Sequence, residues 1–301
     1  MPADNERDPL LDSSCDSAIR RCTCDDSQVP RSTVSLCVSL IACIGGFAVG
    51  VTARASGGTV EQVRTPSTMR LLQFNVLDGA TDGRSTAVVA VIKASGADVV
   101  TLDEVNDPAA FQQIAQATGF HSVYVRANDG FNIGLLSRFP IHACTQFREA
   151  PIRHAAYGCR IDISRRSWWI FGTHLYPFDE AVRAQEIQFI LKRMNRHLPA
   201  PVVLSGDLNT DSPGETYGMG TTVIPLLWRA HYADVFRELH SFQQDPGFTT
   251  STPPYGAEEH RVDYVFRSRL VRSLAARLID SVDGYQWPSD HKALLVKLAA
   301  R

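Results

Sequence analysis

Asp207 and Asn209 stand two positions apart in "VVLSGDLNTDSP", Val202 to Pro213, directly after an apolar run. Side chains at i and i+2 leave a strand on the same face, so a carboxylate and a carboxamide would open into one cleft. Such a pair can orient a water and take its proton. Glycine, aspartate and asparagine also favour turns for backbone reasons alone, and on this stretch by itself a plain turn is the commoner outcome. The same placement recurs along the chain. Asn75 follows "LLQF", Glu104 follows "VVTLD", His174 follows "WIFGT", Asp263 follows "HRV", and Asp290-His291 precede "KALLVKL". One strand-end carboxylate more often caps a helix or joins a salt bridge, and one histidine is more often a hydrogen-bonded structural group. An ordered set of carboxylates, carboxamides and histidines, all at strand ends, is not accounted for by such separate structural roles.

The elements that would position them are legible as periodicity. "MRLLQFNVL" reads as a strand, "RSTAVVAVIKASG" as a helix with Ser85 or Thr86 near its start and Gly96 at its stop, and "ADVVTLDEV" as a strand. "NIGLLSRFPI", "CRIDIS", "SWWIFGTHL", "APVVLSGDLN", "HRVDYVF" and "HKALLVKL" add further strands. Between "THL" and "APVVL" lies the amphipathic segment "DEAVRAQEIQFILKRMNRHL", with Ile187, Ile190, Leu191 and Met194 on one face. The alternation predicts one α/β domain over 69–301, without internal repeats. A chain of 301 residues with 44% hydrophobic content has ample material for its core. Trp168 and Trp169 should point to opposite faces of their strand. Arg138 and Arg160 are expected in surface pairs, and Tyr176 is a candidate groove residue. His121, His142, His154, His231, His240 and His260 have no motif around them.

The blocks "FNVLDG", "LDEV", "NIGLLSRFPI", "GTHL", "GDLN", "RVDYVF" and "SDH" resemble, in order and from Met69 to about Leu298, the endonuclease/exonuclease/phosphatase superfamily. The resemblance implies a four-layer α/β/β/α sandwich of two packed mixed β-sheets flanked by helices. It also implies Mg²⁺-dependent, or Mn²⁺-dependent, phosphoester hydrolysis. Glu104 with Asn75 resembles the family's metal site, and Asp290 is a second metal contact. Asp207 would activate the attacking water and Asn209 would hold the phosphate or the water. His174 and His291 would sit on phosphate oxygens, with Asp263 orienting His291. Asp78 is a weaker candidate ligand. One departure is Asp103, where the family usually has glutamine; on a strand it should face away from Glu104, outside the site. The implied substrate is a phosphodiester, either a lipid headgroup or nucleic acid.

Charge and the N-terminal segment bear on that choice. The first 32 residues carry seven Asp or Glu against four Arg, and the whole chain is at −2, so the remainder is near neutral. This is not the strongly basic balance of a protein that holds nucleic acid by phosphate contacts alone. Thr33 to Ala53 is a run of 21 uncharged residues between Arg31 and Arg54, long enough to cross a bilayer as a helix. The expected organisation is therefore an acidic flexible tail at 1–32, a transmembrane segment at 33–53, a linker at 54–68 and the catalytic domain at 69–301. Arginines flank the span in similar number on both sides and do not orient it. Glu6, Leu10 and Leu11 in "ERDPLL" match an acidic dileucine signal for cytosolic sorting adaptors. That signal places the tail in the cytosol and the domain on the lumenal or extracellular side of an endosomal, lysosomal, secretory or plasma membrane. Cys15, Cys22 and Cys24 in the tail find no second cluster to complete a zinc site. Beyond the span only Cys144 and Cys159 occur, with a hairpin-like bridge and two unrelated buried thiols as the alternatives.

Overall fold

Strand parity governs the architecture. The computed structural model describes residues 67–215, 218–250 and 259–301. The expected tail, transmembrane segment and most of the linker lie outside the described residues. Among the described residues, no helix is long and apolar enough to cross a membrane. The chain runs through β1 (Thr68–Asn75), α1 (Arg84–Ser95), β2 (Val99–Asp103), α2 (Pro108–Thr118), β3 (His121–Val125) and β4 (Ile133–Ser137). It continues through β5 (Ile141–Phe147), β6 (Ala155–Ile163), β7 (Arg166–His174), α3 (Glu180–Met194) and β8 (Val202–Asp207). The last part holds α4 (Val223–Arg229), β9 (Ala233–Asp234), α5 (Val235–Leu239), β10 (Asp263–Arg267), β11 (Val271–Ile279) and β12 (Ala293–Ala300).

The strands form two six-stranded sheets, in the orders β11-β12-β1-β2-β4-β3 and β5-β6-β7-β8-β10-β9. Both are mixed: β1 and β2 pair in parallel in the first, and β7 and β8 in the second. Met69, Leu71 and Val99 of the first sheet pack with Trp168, Ile170, Val203 and Val265 of the second. The opposite parity, Leu72, Phe74, Val100 and Leu102, packs under Val88, Val91, Phe111 and Ile114 of α1 and α2. On the far side Phe171, Leu204 and Phe266 pack under Ile187 and Ile190 of α3 and Ile224 and Leu227 of α4. The result is the expected helix/sheet/sheet/helix layering. Trp168 is buried between the sheets, whereas Trp169 stacks outward on His197 at 3.5 Å between ring centroids.

Helix ends follow local chemistry. Gly96 closes α1 in a left-handed conformation that any other residue reaches only with strain. Asp107 and Asp179 cap α2 and α3 by accepting backbone N–H groups. Gly206 is required for a different reason: a Cβ there would lie 1.8 Å from the Thr173 carbonyl oxygen. Its absence lets β7 and β8 close up, which brings the ends carrying His174 and Asp207 together.

Cys144 and Cys159 face each other across the β5–β6 pair with Cα atoms 4.0 Å apart and are joined as a disulfide. Below the start of β10, Arg261 is only 2% exposed and donates to Asp234 at 2.6 Å and to Glu215 at 2.9 and 3.0 Å. Removing a buried cation from two carboxylates leaves uncompensated charge. Arg261→Ala is therefore expected to lose about 3–5 kcal/mol of stability, measured by urea unfolding. A loss below about 1 kcal/mol, the value of an exposed pair, would contradict this reading of the network.

Candidate active site

The inter-sheet parity carries polar residues as it approaches one end of the sandwich. Gln73 and Asn75 on β1, Thr101 and Asp103 on β2, Ser205 and Asp207 on β8, and Asp263 on β10 continue the face that further down is Leu71, Val99, Val203 and Val265. These groups bond across the two sheets. Thr101 Oγ1 and Ser205 Oγ are 2.6 Å apart, and the Ser205 hydroxyl donates to Gln73 Oε1 at 3.1 Å. Gln73 Nε2 donates to Asp103 Oδ2 at 2.6 Å and reaches Asp263 Oδ1 at 3.4 Å. The backbone N–H of Asp207 donates to Asp103 Oδ2 at 2.7 Å.

Register places the next layer. Asp207 pairs directly with Asp263 across β8 and β10. Asp263 Oδ2 lies 2.7 Å from Nδ1 of His291, whose own backbone N–H is held by the Ser289 hydroxyl at 3.0 Å. His291 Nε2 is 3.9 Å from Asp207 Oδ2 and 3.9 Å from Asp290 Oδ1. Burial disfavours the imidazolium, but the charge and hydrogen bond of Asp263, with Asp207 and Asp290 behind it, outweigh that and push the His291 pKa up to about 10. Asp207 is 2% exposed, and its pKa is raised to about 6 by burial first and then by Asp263; His174, His291 and the Asn209 N–H pull the other way. His174 Nε2 approaches Asp207 Oδ2 at 3.8 Å.

Asn75 Nδ2 donates to Glu104 Oε1 at 3.0 Å and to Asp207 Oδ2 at 3.1 Å, linking the two carboxylates. Its Oδ1 is turned away, accepting from the Leu77 N–H at 3.1 Å. An N–H can only donate, so this bond fixes the amide with its nitrogen toward the site. Asn75 thus stands beside Glu104 at the expected metal site, where its Nδ2 orients Glu104 and Asp207. Asp290 stands beside His291, while Asp78 contributes its backbone N–H to Glu104 Oε2 at 3.3 Å.

Two expectations change. Asn209 does not follow strand parity, because β8 ends at Asp207 and Asn209 takes a left-handed φ of 47°. Its N–H closes a turn on Asp207 Oδ1 at 2.9 Å and its Nδ2 donates to Leu175 O at 2.9 Å. The turn itself thus delivers the carboxamide. Asp103 does point away from Glu104 along the strand, yet that direction is the inter-sheet seam directly beneath Asp207. Glu104 returns to the site because it sits past the strand end with φ of 54°. Burial first, and then the charge of Asp207, hold the Asp103 carboxyl well above its ordinary pKa. A protonated carboxyl offers one donor and keeps acceptor capacity, much as an amide does.

Sequence reasoning assigned nothing to His154 or Glu186, and both belong to this region. Ala155 pairs with His174 across β6 and β7, so His154 lies at the neighbouring strand end; its ring centroid is 4.7 Å from that of His174. Glu186, 1% exposed on α3, accepts from the Arg153 N–H at 2.8 Å and the Tyr176 N–H at 3.0 Å. It pins the two loops that flank the histidines. The sequence signal was available: a glutamate on the apolar face of an amphipathic helix needs partners. Arg138 and Arg160 pair with Asp98 and Asp162, as surface residues do.

The donor set fits a hard divalent cation. Glu104, Asp207, Asp263 and Asp290 share one neighbourhood, and among the described residues no lysine or arginine pairs with any of them. Asp207, Asp263 and His291 bring ligating atoms within 4.8 Å of one another. Asp263 and His291 already satisfy each other, which leaves the oxygens of Glu104 and Asp207 as the suitable ligands for a cation that prefers oxygen.

The model of the Endonuclease/Exonuclease/phosphatase family matches residues 72–291. No curated protein matches the chain. Among solved structures, an endonuclease/exonuclease/phosphatase from Beutenbergia cavernae is 22% identical, covering 78% of this chain and 72% of its own, with a TM-score of 0.62. A mannosyl-6-phosphatase of Bacteroides thetaiotaomicron is 15% identical over 76% of this chain and 99% of its own, with a TM-score of 0.62. D. rerio TDP2, solved with a single-strand DNA product, is 18% identical over 77% of this chain and 99% of its own, with a TM-score of 0.61. The chain belongs to the endonuclease/exonuclease/phosphatase family and is a metal-dependent phosphoester hydrolase.

The raised Asp103 pKa has a sign for stability. Above the unfolded value of 3.8 the unfolded chain releases a proton that the folded seam retains, so this carboxyl costs stability as pH rises. Asp103→Asn keeps an acceptor for the Asp207 N–H without the titration. Its stability relative to wild type should rise between pH 4 and pH 8 in urea unfolding; a pH-independent difference would contradict the assignment.

Proposed function

We propose that the domain is a Mg²⁺-dependent phosphodiesterase acting on the headgroup ester of a lipid. The single observation that carries the chemistry is the buried Asp263–His291 pair facing Asp207 at the open end of the two sheets. A cation held by Glu104 and Asp207 would polarise a phosphoryl oxygen. The Asp207 carboxylate takes one proton from water as the water oxygen bonds to phosphorus. The P–O bond to the alcohol breaks, and the leaving oxygen takes the proton of His291 Nε2. Asp207 returns its proton to solvent and His291 regains one, so the net change is one water consumed, giving a phosphomonoester and an alcohol. His174 donates to the phosphate from the other side of Asp207, and Asn209 orients the water or the phosphate.

Support for a lipid comes from the surface beside these groups. Phe178 is 81% exposed and lies 5.4 Å, centroid to centroid, from Tyr176; Phe131 is 37% exposed and 6.0 Å from the His174 ring. Apolar rings at a reaction site suit an interface in which the substrate is partly embedded. The uncharged run at 33–53 would hold the chain at that interface, and the near-neutral domain has no charge signature of nucleic-acid binding. The joined Cys144–Cys159 pair supports a lumenal or extracellular domain, with Glu6, Leu10 and Leu11 available to cytosolic adaptors. Aromatic rings also stack on bases, which makes a DNA or RNA nuclease the second reading.

The assay is release of product by the full chain from sphingomyelin vesicles, phosphoinositides, plasmid DNA and RNA in parallel, with EDTA and with Mg²⁺ or Mn²⁺ added back. Lipid turnover abolished by EDTA is expected. Turnover of nucleic acid alone would replace this reading with the nuclease, and no turnover of any substrate would favour a binding scaffold. Protease protection that leaves the domain on the cytosolic face would overturn the topology.

Two variants separate proton handling from folding. His291→Ala and Asp207→Asn should each lower turnover by at least about a hundredfold, the scale of losing a general acid or base. The plot of log(kcat/KM) against pH should show an alkaline limb above the ordinary histidine range, where His291 loses the proton that Asp263 holds on it. Asp263→Asn removes the charge that favours the imidazolium, so its alkaline limb should move to lower pH. An unmoved limb would reduce Asp263 to a structural role. Glu104→Gln should raise the Mg²⁺ concentration needed for half activity, and an unchanged requirement would remove Glu104 from the metal site.

A further inference from the structure

His154 is 1% exposed, yet its Nε2 has no hydrogen-bond partner. Its orientation is fixed from the other side: Nδ1 is 2.6 Å from Oδ2 of Asp129 on the exposed 128–131 loop. The carboxylate accepts the Nδ1 proton, and in the neutral tautomer Nε2 is then an acceptor. Burial first, and then the neighbouring His174, push the His154 pKa down to about 4, against the pull of Asp129, so the ring stays neutral at physiological pH. An unpaired buried acceptor costs stability that a bound donor restores.

What lies around Nε2 limits the donor. The His154 ring stands 4.7 Å from His174, 4.9 Å from Phe131 and 5.7 Å from Tyr176, centroid to centroid. Phosphate oxygens of a bound diester only accept, so they cannot satisfy it. A hard cation selects oxygen over imidazole nitrogen. The missing partner is a hydroxyl or N–H group carried on an organic body that can lie against the aromatic rings. His174, the next ring, also has a buried nitrogen, Nδ1, without a partner. With His174 donating from Nε2, its Nδ1 is a second acceptor, so this histidine pair calls for hydrogen-bond donors.

We propose that His154, held by Asp129, accepts a hydrogen bond from a hydroxyl or amide N–H of the substrate's alcohol portion and so selects phosphodiesters that carry such a donor beside the scissile ester. The proposal rests on the lipid phosphodiesterase reading and deepens it. It names the class of lipid: one with a free hydroxyl or amide next to the phosphoester, as in a sphingoid base, over a diacylglycerol ester that has neither. His154 is a specificity residue that touches substrate, and Asp129 is a positioning residue that acts through it.

Sphingomyelin and phosphatidylcholine share the phosphocholine headgroup and differ in these donors, so their kcat/KM ratio isolates the effect. The full chain is assayed with mixed-detergent micelles of each lipid. Wild type is expected to favour sphingomyelin by at least about tenfold, the value of about one buried hydrogen bond. In His154→Ala the ratio should fall about tenfold, and in His154→Gln, which offers Oε1 as an acceptor, it should recover part of that fall. Asp129→Ala, on an exposed loop and independent of core packing, should reduce the ratio severalfold by freeing the tautomer. An unchanged ratio in Asp129→Ala and in whichever His154 variants fold, with both lipids still hydrolysed by wild type, overturns the proposal alone. Hydrolysis of neither lipid by wild type overturns the underlying reading and the proposal with it.

Discussion

Three aspartates, Asp103, Asp207 and Asp263, are buried at one end of the space between the two sheets, and this is the constraint on which the rest of the site depends. Like charges in a dry interior repel, and burial alone disfavours each ionised form. The molecule meets this with a different device for each group. Burial and the charge of Asp207 hold the Asp103 carboxyl well above its ordinary pKa. Asp263 is partnered by His291, whose imidazolium it holds. Asp207 is left between, with its pKa raised to about 6 and histidines on two sides. A base poised near neutral pH and an acid that stays charged are consequences of that division.

The same seam ties fold to chemistry. Gln73, Thr101 and Ser205 bridge the sheets by hydrogen bonds just below the aspartates, so the sheets cannot slide without breaking buried polar contacts. Above it, Glu186 fixes the backbone of Arg153 and Tyr176 from α3, and Gly206 sets the approach of β7 to β8. Reactive groups therefore ride on strand ends and short turns whose positions are set from beneath. A cation at Glu104 and Asp207 would complete the charge balance, since among the described residues no lysine or arginine pairs with these carboxylates.

Much of this is legible in the sequence. The apolar runs of β1, β2, β8 and β12 mark buried strands, and the polar residues that end the first three and precede the fourth mark the open end of the sandwich. The amphipathic face of α3 reads directly from Ile187, Ile190, Leu191 and Met194, all of which pack on the second sheet. What the pattern could not carry was behaviour past a strand end. Glu104 and Asn209 take left-handed φ values, so strand parity misplaced both with respect to their neighbours. The amide orientation of Asn75 depends on one backbone N–H at Leu77, which no spacing reveals. His154 is placed beside His174 by the β6–β7 register, a long-range property that the residues beside it in sequence do not carry.

The division of acid and base in this site turns on the charge state of His291. Its imidazole nitrogen shifts in ¹⁵N-labelled, metal-free protein report protonation without any assumption about substrate. The imidazolium should persist through neutral pH and titrate near 10, with Nδ1–H strongly hydrogen-bonded to Asp263. Titration near the ordinary value of 6.5 would show that Asp263 does not hold the charge, and the assignment of acid and base in this site would fail.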